Sequence, residues 1–175
     1  MASGNLHDRI GTMTAIAGTI IAFHQASPIG ATLISSGLFA GYLLMSPDVD
    51  RMNYNCCKRW GPLKWIWHPY QSCHGHRSEH WWKLFSKWSY RGHFPIYGSA
   101  ERLIYVLLWA GLFSAIPLAT SLVLLPGVAI SHLMSIDPGM VGASLLLLWM
   151  GLEVQALVHI ASDYCPLVRH DFDKI

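Results

Sequence analysis

The 175-residue chain has a composition that argues against an ordinary soluble domain. Only 13% of its residues are charged and 53% are hydrophobic, whereas a soluble domain usually carries about twice that charged fraction. The formal charge of +2 is too small to indicate a nucleic-acid-binding protein. The four cysteines (Cys56, Cys57, Cys73 and Cys165) form no CxxC pair, which predicts reduced thiols rather than a zinc knuckle or a disulfide framework.

Four apolar segments predict four helices, at residues 10–26, 28–46, 99–125 and 140–163. The shortest segments are close to the lower limit for crossing a bilayer, about 17 residues. A turn at Ser27-Pro28 predicts one helical hairpin, residues 126–139 connect a second, and Pro117 is expected to break the third helix. The prediction is a single all-α domain over residues 1–175, a membrane four-helix bundle of two hairpins. A soluble helical bundle with buried hairpins is the alternative.

Residues 47–98 differ sharply from these apolar segments. They hold eight of the twelve lysines and arginines, six of the eight tryptophans and five of the ten histidines. Basic and aromatic residues together are typical of a segment that lies at the membrane–water interface. We therefore expect residues 47–98 to form a cytoplasmic interfacial segment that contacts membrane lipid and offers a docking surface for another membrane protein.

The distribution of basic residues predicts an orientation. Lysine and arginine are absent from both hairpin connections and occur at the start, in the central segment with its edges, and in the tail. With four spans, the positive-inside rule places these three regions on the cytoplasmic side. The prediction is a multi-pass protein of the inner (plasma) membrane with cytoplasmic N- and C-termini.

Asp48 and Asp50 follow the second apolar segment directly. Two carboxylates this close repel each other unless a metal ion or a basic side chain lies nearby. Four further candidate ligands occur at the same predicted ends of the helices, namely His7, His93, His159 and Asp163. Imidazole and carboxylate ligands suit zinc first, and also manganese or iron. Simpler explanations stay open: Asp48 as a helix cap, Asp50 paired with Arg51, and Asp163 paired with Arg102 or Arg169.

The central segment contains a second polar cluster, residues 74–80. His76 and His80 are spaced i,i+4, which is compatible with a metal pair, a general base or a titrating interfacial surface. Arg77 and Arg91 are suited to a phosphate or carboxylate substrate, or equally to anionic lipid headgroups. Glu153, near the middle of the last apolar segment, is a functional candidate by its depth, and we expect it to be protonated or paired with His24 or His132.

Several stretches together resemble a bacterial family of metal-binding membrane proteins of unknown function. That family is similar in turn to the YdjM-type membrane-bound metal-dependent hydrolases, with their proline-Asp-x-Asp and His-Arg motifs, and more distantly to the helical zinc phospholipase C and nuclease group. The stretches that carry the resemblance are residues 3–10 (with His7-Asp8-Arg9), 44–50 (with Pro47-Asp48-Val49-Asp50), 59–67, 69–70, 91–98 (with Arg91-Gly92-His93), Arg102, and the pair His159 and Asp163.

The resemblance implies a metal site formed by six residues: His7, Asp48, Asp50, His93, His159 and Asp163. One feature departs from the family pattern, which usually has a histidine-arginine pair a few residues before the position of His93. Here Ser89-Tyr90-Arg91 precedes it, and His76-Arg77 lies further upstream. Either an insertion still brings His76 to the site, or one ligand is lost.

These observations favour a metal-dependent hydrolase of phosphoesters, including lipid-linked ones, at the cytoplasmic face, in which Arg91 or Arg77 stabilises the anion. A second reading is a non-catalytic membrane subunit whose helix ends are held by a metal or by ion pairs. A third is a metal carrier or sensor.

Overall fold

The computed structural model describes residues 4–50, 55–74 and 96–164, and within these ranges all regular structure is helical. The all-α prediction is confirmed for this part of the chain. Short 3₁₀ helices at Pro47–Asp50 and Gly61–Trp67 accompany the α-helices. The α-helices are α1 (Gly4–Gln25), α2 (Pro28–Leu43), α3 (Asn55–Arg59), α4 (His68–His74), α5 (Tyr97–Leu124), α6 (Pro126–Met134) and α7 (Pro138–Tyr164).

Helices α1 and α2 form an antiparallel hairpin because of a short turn at Ser27. The Ser27 backbone is extended, and its hydroxyl accepts a hydrogen bond from the Gly30 N–H at 3.2 Å. Pro28 occupies the first turn of α2, where its missing N–H costs no hydrogen bond. This cap brings the start of α1 back beside the end of α2.

Helices α2 and α7 run parallel and approach each other at glycines. A Cβ at Gly37 would lie 2.1 Å from the Leu148 carbonyl oxygen, and one at Gly151 would lie 2.2 Å from that of Ile34. Gly37 and Gly41 form a small-xxx-small pair, which permits close backbone contact between membrane helices. The crossing places the C-terminal ends of α2 and α7 side by side, next to the start of α1.

Helix α5 packs against α7 mainly through its first turns. In this half of α5, Tyr105 and Trp109 pack in an aromatic core with Trp67 and Tyr70. Residues 110–124, in the second half of α5, are all exposed. Among the described helices, α1, α2 and α7 form a three-helix unit with α5 to one side, and the predicted membrane four-helix bundle is not confirmed. The expected break at Pro117 does not occur, since α5 continues through it.

Two helices are long and apolar enough to cross a membrane, namely α5 and residues 138–162 of α7. Helix α2 is apolar but shorter, and α6 lies within the predicted second connection. These lengths support association with a membrane. The number of spans and their orientation stay predictions.

Candidate metal centre

Three of the predicted ligands converge where α1, α2 and α7 meet. His7 lies in the first turns of α1, Asp48 in the 3₁₀ helix after α2, and His159 near the end of α7. Each offers one donor atom, and these three atoms all lie within 4.8 Å of one another. His159 and Asp48 are nearly buried. Two imidazole nitrogens and a carboxylate oxygen thus lie close together at the edge of the helical core.

The distance between His159 and Asp48 is compatible with two ligands of one metal ion. His159 Nε2 lies 3.6 Å from Asp48 Oδ2, longer than an ordinary hydrogen bond. Ligand atoms at about 2.0–2.1 Å from a tetrahedral ion lie roughly 3.3 Å apart. The His7 and His159 rings stack with their centroids 4.1 Å apart and their planes 17° from parallel.

Two serine hydroxyls lie behind the histidines. Ser162 Oγ is 2.9 Å from His7 Nδ1 and donates a hydrogen bond to the His159 carbonyl oxygen at 2.7 Å. Ser46 Oγ is 3.4 Å from His159 Nδ1. Outer hydroxyls of this kind orient imidazole ligands in metal sites.

A small cleft, with room for about one water molecule, borders His7 and His159. Gln155 closes one wall, where its amide donates to the Gly11 carbonyl oxygen at 3.0 Å. Among the described residues, the lining contains no lysine or arginine. The other walls of the cleft include Ile10, Gly41, Tyr42, Pro47 and Val158.

The geometry agrees with the result of comparing the chain with known proteins. Residues 2–172 match the family described as uncharacterized metal-binding protein (DUF2227). The chain belongs to this family. The comparisons with curated proteins and with solved structures each found no match. Membership in DUF2227, together with the His7, Asp48 and His159 donors, supports a metal cofactor and leaves the identity of the ion open.

The structure brings together three of the six ligands predicted for this DUF2227 member. Asp50 ends the 3₁₀ helix and Asp163 lies in the last turn of α7, but their side chains are outside the described part of the chain. Four other predicted site residues lie outside the described residues entirely, namely His93, His76, Arg77 and Arg91. Sequence reasoning missed Ser46 and Ser162, whose only sequence signal is that each lies two or three residues from a predicted ligand.

Asp8, next to His7, has a basic partner instead of a place in the donor cluster. Its Oδ2 lies 2.8 Å from an Arg59 guanidinium nitrogen and accepts a hydrogen bond from the Asn55 amide at 3.0 Å. Arg59 also donates to the Tyr42 carbonyl oxygen at 3.3 Å, at the end of α2. Helix α3 therefore joins the start of α1 to the end of α2 and fixes the position of His7.

Glu153 is used as a helix cap, and the side chain of His132, one of its two predicted histidine partners, lies outside the described part of the chain. Its Oε1 accepts the Ile96 N–H at 2.7 Å, and its Oε2 accepts a hydrogen bond from the Ser99 hydroxyl. Trp149 Nε1 donates to Ser99 Oγ at 3.0 Å. Because the first N–H groups of a helix lack intrahelical acceptors, the Glu153 carboxylate stabilises the start of α5 against α7. His24, by contrast, is exposed on α1.

Cys56 lies close to the cluster but is held as a thiol. Burial, and then the nearby charge of Asp48, raise the pKa of Cys56 from 9.0 to about 12. A thiol binds a metal well only as the thiolate. Cys56 is therefore a buried, protonated thiol that packs near Asp48.

Proposed function

We propose that this protein binds a divalent metal ion through His7, Asp48 and His159. The observation that carries the proposal is the convergence of three donor atoms, from three separate helical elements, to within 4.8 Å of one another. Membership in a metal-binding family supports the same conclusion. Asp50, His93 and Asp163 are proposed as further ligands on the basis of the sequence.

The donor set is compatible with zinc first, and with manganese or iron as alternatives. Zinc binds both imidazole nitrogen and carboxylate oxygen, and catalytic zinc sites commonly use three protein ligands. Imidazole also suits iron, and carboxylate suits manganese. A divalent ion held by these groups would polarise a phosphoryl or carbonyl oxygen of a bound substrate.

We further propose that the protein is a metal-dependent hydrolase of phosphoesters, including lipid-linked ones. The support is the small cleft beside His7 and His159, which leaves room for about one water molecule next to the proposed ion. Since the described lining carries no lysine or arginine, the positive charge for a phosphate would come from Arg77 or Arg91, with His76 as the candidate base.

The proposed location is the inner membrane, with the metal centre at the cytoplasmic face. Ile116 and Val123 on α5 are 75% and 79% exposed, and an apolar surface this extensive is favourable only against lipid or a protein partner. Arg9, Lys58, Arg59 and Lys64 belong to the elements at the site end, whereas the opposite connections carry no lysine or arginine. The positive-inside rule then favours a cytoplasmic site.

The alternative is a non-catalytic membrane subunit, or a metal carrier or sensor. The Asp8–Arg59 ion pair favours the subunit, because it already ties the ends of α1 and α2 together without an ion. The Trp-rich central segment would then dock the partner protein. Turnover of a substrate is what separates the alternatives.

Elemental analysis of the purified protein tests metal binding. We expect stoichiometric metal in the wild type and its loss in Asp48→Ala and in His159→Ala. His24→Ala is the matched control, since His24 is exposed at the opposite end of α1. A wild-type protein without stoichiometric metal would contradict the proposal.

A panel of phosphomonoesters and phosphodiesters tests hydrolysis by the metal-loaded protein. The hydrolase proposal expects release of phosphate or alcohol by the wild type and none by Asp48→Ala. A fully loaded wild type that is inactive across water-soluble and lipid-linked esters would favour the subunit or carrier.

A further inference from the structure

We propose that Ser162 is a positioning residue that fixes the tautomer of His7, so that His7 presents Nε2 to the metal. The inference rests on the proposed metal site and adds a role for a hydroxyl that is not itself a ligand. The inference concerns which nitrogen of the His7 ring carries the proton, and this can be measured in the absence of a metal ion.

The hydrogen bonds of Ser162 determine the direction of its contact with His7. A serine hydroxyl has one proton and two acceptor lone pairs. Ser162 donates that proton to the His159 carbonyl oxygen at 2.7 Å. Its contact with His7 Nδ1 at 2.9 Å is therefore one in which Ser162 accepts and Nδ1 carries the proton. In a neutral imidazole, the lone pair then belongs to Nε2.

Burial makes this restraint effective. Ser162 is only 6% exposed, so bulk water competes poorly for either hydrogen bond. Ser162 is three residues after His159, on the same turn of α7. This turn therefore supplies the His159 ring as a candidate ligand and also orients the His7 ring, which stacks on His159. A shift of α7 would move both histidines together.

The second histidine has a similar neighbour on the same side of its ring. Ser46 Oγ lies 3.4 Å from His159 Nδ1, and His159 Nε2 is the nitrogen that faces Asp48 at 3.6 Å. Both imidazoles thus have a serine at Nδ1. This pattern matches metal-binding histidines, whose second nitrogen is held by an outer partner.

The test is long-range ¹H–¹⁵N NMR on histidine-labelled, metal-free protein in detergent micelles, with His7 assigned from its loss in His7→Phe. We expect the Nδ1–H tautomer in the wild type and the Nε2–H tautomer, which free imidazole side chains favour, in Ser162→Ala. Ser162→Thr keeps the hydroxyl and should restore the Nδ1–H form.

Metal affinity is the second readout, measured by competition with a chromophoric chelator. We expect Ser162→Ala to weaken zinc binding by roughly 10- to 100-fold and Ser162→Thr to recover most of it. Ser131→Ala is the matched control, because Ser131 makes the same backbone bond to the residue three before it, at 2.8 Å, on an exposed helix. It should leave both the tautomer and the affinity unchanged.

A wild-type His7 in the Nε2–H form would overturn the inference, as would a Ser162→Ala protein with unchanged tautomer and unchanged zinc affinity. If the wild type binds no metal, the proposed function fails while the tautomer measurement still decides the role of Ser162. If Ser162→Ala does not fold, the wild type and Ser162→Thr spectra decide it.

Discussion

His7 and His159 stack ring on ring, with centroids 4.1 Å apart, and so connect the first turns of α1 to the last turns of α7. Aromatic contacts of this kind contribute about 0.5–1.5 kcal/mol beyond the area that they bury. The pair therefore has two separable roles, packing the helix ends together and supplying donor nitrogens.

His7→Phe separates these two roles. Phenylalanine keeps a flat ring against His159 but has no nitrogen, so we expect the metal to be lost, while the free energy of unfolding of the metal-free variant stays within about 1 kcal/mol of the metal-free wild type. His7→Ala should lose both the metal and the stacking energy. Metal content and thermal unfolding in detergent measure the two effects, and full metal retention in His7→Phe would rule out His7 as a ligand.

Gly151→Ala tests the crossing of α2 and α7. Because the added Cβ would lie 2.2 Å from the Ile34 carbonyl oxygen, the helices must separate, and we expect a loss of at least about 2 kcal/mol in the free energy of unfolding together with weaker metal binding. Gly142→Ala is the control on the same helix, where nothing lies within 4 Å. It should be neutral or stabilising by up to about 1 kcal/mol. Equal effects of the two substitutions would show that the close approach is not needed.

Asp8→Asn and Asp48→Asn distinguish an ion-pair carboxylate from a ligand carboxylate. Asp8 and Arg59 are each 30% exposed, so their ion pair contributes at most about 1 kcal/mol. We expect Asp8→Asn to keep its metal with a small loss of stability, and Asp48→Asn to lose its metal. Elemental analysis and chemical unfolding of both variants provide the measurement. Metal loss in Asp8→Asn alone would reverse the assignment of the two aspartates.

Cys56 gives a pH dependence whose sign follows from its raised pKa. The folded thiol keeps its proton up to about pH 12, whereas the unfolded thiol loses it near pH 9.0. Below pH 9 the two states bind the proton equally. Between pH 9 and pH 12 only the unfolded state releases it, so the free energy of unfolding should fall by about 1.4 kcal/mol per pH unit. Unfolding of wild type and Cys56→Ala between pH 7 and 11 isolates this contribution, which is refuted if the two pH profiles are parallel.

The helical architecture could be predicted from the sequence because long apolar segments favour helices and the Ser27-Pro28 turn favours a hairpin. It also indicates that His7, Asp48 and His159 lie at helix ends, and the structure brings their donor atoms together. The close approach at Gly37 and Gly151 could be read only with the partner helix known. The cap that Glu153 provides for Ile96 joins residues far apart in the chain, so no local pattern reveals it. The position of α5, which contacts α7 through its first turns, depends on side-chain packing that hydropathy does not encode.

The distribution of the three donors over α1, the segment after α2 and α7 has a consequence for biogenesis. His159 is synthesised long after His7 and Asp48, so the complete donor set exists only when α7 has been made and has packed against α2. An ion bound by all three groups would therefore be acquired late, and its presence would report a correctly assembled chain.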